Sequence, residues 1–82
     1  MSREGDRIIV EQPGYLEVCG RLIRGTIHDV SARGAYFSAP EQPPPGTHAL
    51  LCGPSGWLPV RVVWCQERNN AGVGLVFETC ET

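Results

Sequence analysis

Turn-forming residues recur about every 8–12 positions along this chain, and between them no segment sustains an apolar repeat of 3.6 residues. That spacing has room for short strands and for little else. The most regular is WLPVRVVWCQ (57–66), where Leu58, Val60, Val62 and Trp64 share one face at period two. Pro59 lies on the other face near the start, where a missing N–H is tolerated. ERNNAG (67–72) supplies a hairpin turn. VGLVFE (73–78) then returns with Val73, Leu75 and Phe77 on one face. Upstream, GYLEVCG (14–20) puts Leu16 and Val18 on one face. RLIRGTIHDV (21–30) aligns Ile23, Gly25 and Ile27 and then changes parity at Val30. That change predicts a bulge or a strand end near His28 and Asp29. GAYFSA (34–39) and HALLCG (48–53) complete the set of six strands. PEQPPPGT (40–47), with four of the seven prolines, is a loop, and GPSG (53–56) is a turn.

At 82 residues the chain makes one domain, 1–82, with a small core. Closing so few strands into a barrel removes their unpaired edges. The expected architecture is therefore all-β: a small six-stranded antiparallel barrel over 14–78, preceded by a flexible N-terminal arm, 1–7.

A formal charge of -2 excludes a general binder of nucleic acid or anionic membrane, which needs a broad basic excess. It leaves local basic sites open. All seven basic residues are arginine, whose planar fork recognises phosphate and guanine in a way lysine cannot. No run approaches the ~20 apolar residues of a membrane span, and the N-terminus has no signal-peptide pattern. A soluble, cytoplasmic protein is expected. Cys19, Cys52, Cys65 and Cys80 form no C-x-x-C pair, so they are read as small buried hydrophobes rather than zinc ligands or a disulfide framework. His28 and His48 have no spacing that makes a metal or catalytic set, and no base or elbow motif makes Ser31 a nucleophile.

Two stretches are not built for a core. REGDR (3–7) sets Arg3 and Arg7 an even number apart, so an extended chain sends both the same way. Guanidinium groups can fork onto phosphate or onto guanine O6 and N7. A solvated terminus explains the same residues. DVSARG (29–34) offers a carboxylate at Asp29, a hydroxyl at Ser31 and a glycine at Gly34. Asp29 suits guanine N1–H and the exocyclic amine, and Ser31 can donate to a phosphate or carbonyl. Gly34 supplies either positive φ or a close approach for a flat base. A side-chain-capped turn between two strands accounts for the same pattern.

Taken in order, R-x-x-x-R on an N-terminal arm and then D-x-S-x-x-G after the second strand, the two motifs resemble those of PilZ domains, the bacterial receptor modules for cyclic di-GMP. The likeness runs from Arg3 to Glu78. RIIVEQPGYLEV, PPPGTHALL and VRVVWCQERNNAGVGLVFE are also similar to family segments. The resemblance implies a six-stranded split-barrel fold and a cyclic di-GMP site made by Arg3, Arg7, Asp29, Ser31 and Gly34. It implies a receptor or adaptor without enzymatic activity, needing neither metal nor cofactor. Its arm closes over nucleotide and so changes the surface shown to an effector protein.

Three features depart from the family pattern. Only Met1 and Ser2 precede Arg3, Glu4 and Asp6 sit inside the arginine motif, and no C-terminal helix follows before Thr82. The acidic residues favour a rival reading, a PilZ-like interaction module that binds no nucleotide. A barrel for single-stranded nucleic acid is disfavoured by the net charge and the few aromatics. Trp64 and Phe77 share the apolar parity of their strands and are expected in the core. Tyr36 and Trp57, of opposite parity, are contact residues or corner residues, and Arg33 adds positive potential to the second motif.

Overall fold

The computed structural model describes residues 7–54, 56–67 and 71–78. It holds β1 (Ile8–Val18), β2 (Arg21–Val30), β3 (Gly34–Ser38), β4 (His48–Gly53), β5 (Gly56–Gln66) and β6 (Gly72–Phe77). They close into a barrel in the order β1-β2-β3-β6-β5-β4, with antiparallel neighbours throughout. The all-β six-stranded barrel expected from the turn spacing is the fold observed.

The inward faces follow the alternation read from β1, β2 and β6. Leu16, Val18, Ile23, Ile27, Val73 and Leu75 are buried with Phe37, Leu51, Val60 and Val62, and Phe77 packs partly buried against them. β1 begins at Ile8, well before Gly14. Its first half is hidden in the sequence because Glu11, Gln12 and Pro13 spoil the alternation. Glu11 takes a φ of 44°, and the register against β2 slips between Ile9 and Gln12. Pro13 is tolerated because β1 meets β4 only from Tyr15 to Glu17. Pro59 is not on an edge, since β5 has neighbours on both sides. Its carbonyl accepts from the Glu78 N–H, just past the last residue of β6. A residue's N–H and C=O leave an antiparallel strand on the same side, so the missing donor falls at the end of the ladder.

Two expectations are corrected. Trp64 is not in the core but 45% exposed. The register of β5 against β6 slips between Val62 and Trp64, which leaves Val63 as an extra residue. Val63 and Trp64 therefore both face outward, and Cys65 turns inward against the core. The cysteines are also less buried than expected. Cys19 is exposed in the β1–β2 turn, and Cys52 and Cys65 are half-buried free thiols. Cys80 lies outside the described residues.

Candidate functional site: a guanidinium, carboxylate and indole cleft

The site grows from irregularities in the ladder. The β2–β3 register slips between Ile27 and Asp29, so the parity change read in the sequence is a bulge at His28. Beyond it, Asp29 faces outward opposite Tyr36, Tyr36 is opposite Gly74, and Gly74 is opposite Trp64. Cross-strand partners share a face, so these residues form one outward row across β2, β3, β6 and β5. On the other side of Asp29 stands Ile9 of β1. Arg7, two residues earlier, shares the face of Ile9 and reaches Asp29. Its Nη1 donates to Asp29 Oδ1 at 2.7 Å. The Asp29 side chain is only 18% exposed, whereas that of Arg7 is 54% exposed and keeps donors free for solvent or ligand.

Ser31 opens the turn from β2 to β3. Its Oγ accepts from the N–H groups of Arg33 at 3.2 Å and Gly34 at 3.4 Å, and its own N–H donates to the Gly34 carbonyl at 2.8 Å. The capped turn is therefore formed, and the hydroxyl proton remains available to donate. Gly34 has a different reason to be glycine from the positive φ considered above. Its φ is not in the left-handed region, and a Cβ there would lie 1.8 Å from the Leu75 carbonyl oxygen. It lets β3 begin in close contact with β6.

Trp64 folds across Gly74 and stacks on Tyr36, and His28 stacks on the far side of the same phenol. Partial burial, and then the Asp29 carboxylate, push the Tyr36 hydroxyl above its ordinary pKa of 10.0. His28 is oriented by the Glu11 carboxylate at 2.9 Å and by Ser38 Oγ at 2.9 Å. Arg7, Ser31, Arg33, Gly34, Trp64 and Gly74 line a cleft of about 240 Å³. Of the residues picked out in the two motifs, Arg7, Ser31 and Gly34 meet in this cleft, and Asp29 is tied to it through Arg7. Arg3 lies outside the described residues. Sequence reasoning missed Trp64, because a bulge at Val63, the second of two valines, leaves no mark in the sequence. Trp57, the other aromatic of its strand, lies away from the cleft.

The cleft thus brings guanidinium groups, a hydroxyl and an indole together, with a carboxylate tied to it through Arg7. The family model described as the PilZ domain matches residues 2–81, and the chain belongs to the PilZ domain family. Members of this family are binding and adaptor modules for cyclic di-GMP rather than enzymes. No individual curated protein matches the chain at significant similarity. Among the described residues no helix is long and apolar enough to cross a membrane.

Proposed function

We propose that this protein is a cytoplasmic receptor for cyclic di-GMP that works by binding alone and presents a changed surface to a partner protein. The observation that carries the reading is the Arg7–Asp29 pair beside the Ser31 turn, in reach of the cleft that Arg33 and Trp64 line. Each group suits one part of the ligand. The Asp29 carboxylate accepts from guanine N1–H and the exocyclic amine. Arg7 turns its remaining donors to a phosphate or to guanine O6 and N7, and Arg3 joins it from the arm. The Ser31 proton goes to a phosphate or carbonyl oxygen. The indole of Trp64 offers a flat face for a base. At about 240 Å³ the cleft is smaller than the ~300–1,000 Å³ that encloses a drug-sized ligand. It receives one base and its phosphate, and the rest of the dinucleotide lies across the surface under the arm.

The second reading is an interaction module without nucleotide. It draws support from the Arg7–Asp29 contact, which already satisfies the two motif residues with each other, and from Glu4 and Asp6 beside the arginines. Calorimetry with cyclic di-GMP, GTP and single-stranded RNA in parallel separates the two. Heat with cyclic di-GMP alone is expected. No heat with it at high micromolar concentration would favour the second reading, and equal heat with RNA would overturn both.

A further inference from the structure

The barrel has a second outward face with no partner among the described residues. Across β2, β1, β4 and β5, the residues Arg24, Tyr15, Cys52 and Trp57 stand directly opposite one another in one row. Leu22, Glu17, Leu50 and Pro59 make the next outward row. The inward row between them holds Ile23, Leu16 and Leu51, all buried, so the pleat forces both flanking rows out. Tyr15 is 40% exposed, Leu22 59%, Leu50 38% and Trp57 50%. β1 and β4 stand opposite β3 and β6 in the barrel order, so this face is distinct from the cleft.

Three observations say what covers it. The first is area. At about 200 Å² for each large side chain, the four exposed groups offer on the order of 400 Å². Patches of this size mark interaction sites on soluble proteins. The second is topology. From Tyr15 to Glu17, β1 is paired with β2 on one side and β4 on the other, so a partner cannot add a strand at these rows and must engage side chains. The third is charge. Beside the Tyr15 row runs a groove of about 370 Å³, lined by Pro13, Gly14, Tyr15, Arg24, Cys52 and Gly53. Arg24 has no acceptor among the described residues. Its neighbour Arg21 is paired with Glu41, and Glu17 caps the β1–β2 turn by accepting from the Gly20 N–H at 3.0 Å. Glu17 keeps its charge but lies in the next row, outside the groove, so the one charged residue lining the groove is Arg24, and it sits beside tyrosine and tryptophan, which with arginine dominate binding energy at interfaces.

We infer that this face docks a short segment of another protein that carries apolar side chains around a carboxylate. The carboxylate pairs with Arg24, an aromatic or aliphatic side chain enters the groove beside Tyr15, and the rest of the segment lies on Trp57 and Leu50. The inference rests on the adaptor part of the proposed function and does not require nucleotide binding.

The test is selection of a phage-displayed random-peptide library on the full chain without nucleotide, followed by fluorescence anisotropy of the enriched peptides. Enriched sequences are expected to place aspartate or glutamate beside leucine or an aromatic residue. Trp57→Ala and Arg24→Glu, both at exposed positions, are each expected to weaken binding at least about tenfold without lowering the melting temperature. Arg24→Glu is expected to bind a lysine-substituted peptide better than wild type does. The inference is overturned if no sequence is enriched, if enriched peptides are neutral or basic, or if both variants bind normally. It is also overturned if sedimentation equilibrium finds a dimer that Trp57→Ala dissolves, because a second copy then owns the face. Calorimetry with cyclic di-GMP on Trp57→Ala is expected to match wild type, so failure here and failure of the nucleotide reading give different results.

Discussion

The rings of Trp64 and Tyr36 stack across Gly74 with centroids 5.5 Å apart and planes 18° from parallel. The contact exists because β6 has no side chain between them. A Cβ at Gly74 would sit 2.2 Å from Trp64 Cε2. His28 continues the stack at 5.7 Å from Tyr36, so a ring from each of β2, β3 and β5 forms one wall that runs into the cleft.

Gly74→Ala is therefore expected to push the indole off the wall. The chain has two tryptophans, so Trp57→Phe leaves Trp64 as the sole tryptophan, which is excited at wavelengths that its two tyrosines do not absorb. In that background Gly74→Ala is expected to cost about 1–3 kcal/mol of stability, as overpacking does, and to red-shift the emission. Denaturant titration followed by fluorescence measures both. An unchanged emission maximum would show that the indole does not rest on Gly74.

Arg7→Ala separates the site from the scaffold. The pair it makes with Asp29 is partly exposed, and such pairs stabilise a fold by about 0–1 kcal/mol. Lost charge-assisted hydrogen bonds to ligand cost on the order of 1.5–3 kcal/mol, or roughly 10- to 150-fold in affinity. Weak cyclic di-GMP binding with near-normal melting is expected. Leu75→Ala, which empties a core position, is expected to lose about 2–5 kcal/mol of stability instead. Early melting with normal binding in Arg7→Ala would make the arginine structural.

The second motif divides in the same way. Gly34→Ala drives a methyl group into the Leu75 carbonyl and is expected to melt far below wild type, whatever it does to ligand. Ser31→Ala removes only the two acceptor contacts of the turn, each worth about 0.5–1.5 kcal/mol. It is expected to stay folded and lose affinity. Calorimetric melting of the pair decides, and equal stability would remove the close-contact explanation of the glycine.

Glu78 follows β6 and accepts from His48 Nδ1 at 2.9 Å and from Arg61 Nε at 3.4 Å. The hydrogen bond from His48 leads the effects that hold its carboxyl below the ordinary 4.5. A carboxyl lowered by folding contributes stability that is complete above its unfolded value and fades as pH falls through the folded one. Wild type is thus expected to lose stability below about pH 4.5, and Glu78→Gln to lose less over the same interval. Urea melts across that range check the slope, and identical slopes would mean the contact does not persist in solution.

The thiols give a test of facing. With Cys80→Ser in place, Cys19 is expected to react quickly with a thiol reagent. Cys65 is expected to react slowly, because it packs on the core and donates its S–H to the Pro43 carbonyl at 3.3 Å. Equal rates would put the bulge of β5 in the wrong place.

Much of this was written in the order of residues. Leu16, Val18, Ile23, Ile27, Val73 and Leu75 follow period two and are buried as that period requires. Asp29, Ser31 and Gly34 were legible as a motif, and the parity change at Val30 marked the bulge that turns Asp29 outward. What escaped were features a local pattern cannot carry. Glu11 takes a left-handed φ with no glycine to advertise it. The proximity that requires glycine at Gly34 belongs to Leu75, far along the chain. Val62 and Val63 are interchangeable to any apolar pattern, so the slip at Val63 is silent.

That slip makes the site depend on a count as well as on identities. Residues before Val63 keep one parity and residues after it keep the other, so one extra position sends the indole to the cleft and the Cys65 side chain to the core. Without the slip, Val62, Val63 and Trp64 would simply alternate, and Trp64 would point inward with every named site residue still in the chain. Loops such as 40–47 absorb length changes without turning a side chain over, whereas in β5 the bulge at Val63 decides which face each later residue takes. A relative that keeps both arginines, the D-x-S-x-x-G motif and this tryptophan, but whose strand runs on here without a bulge, would carry the motif without this wall.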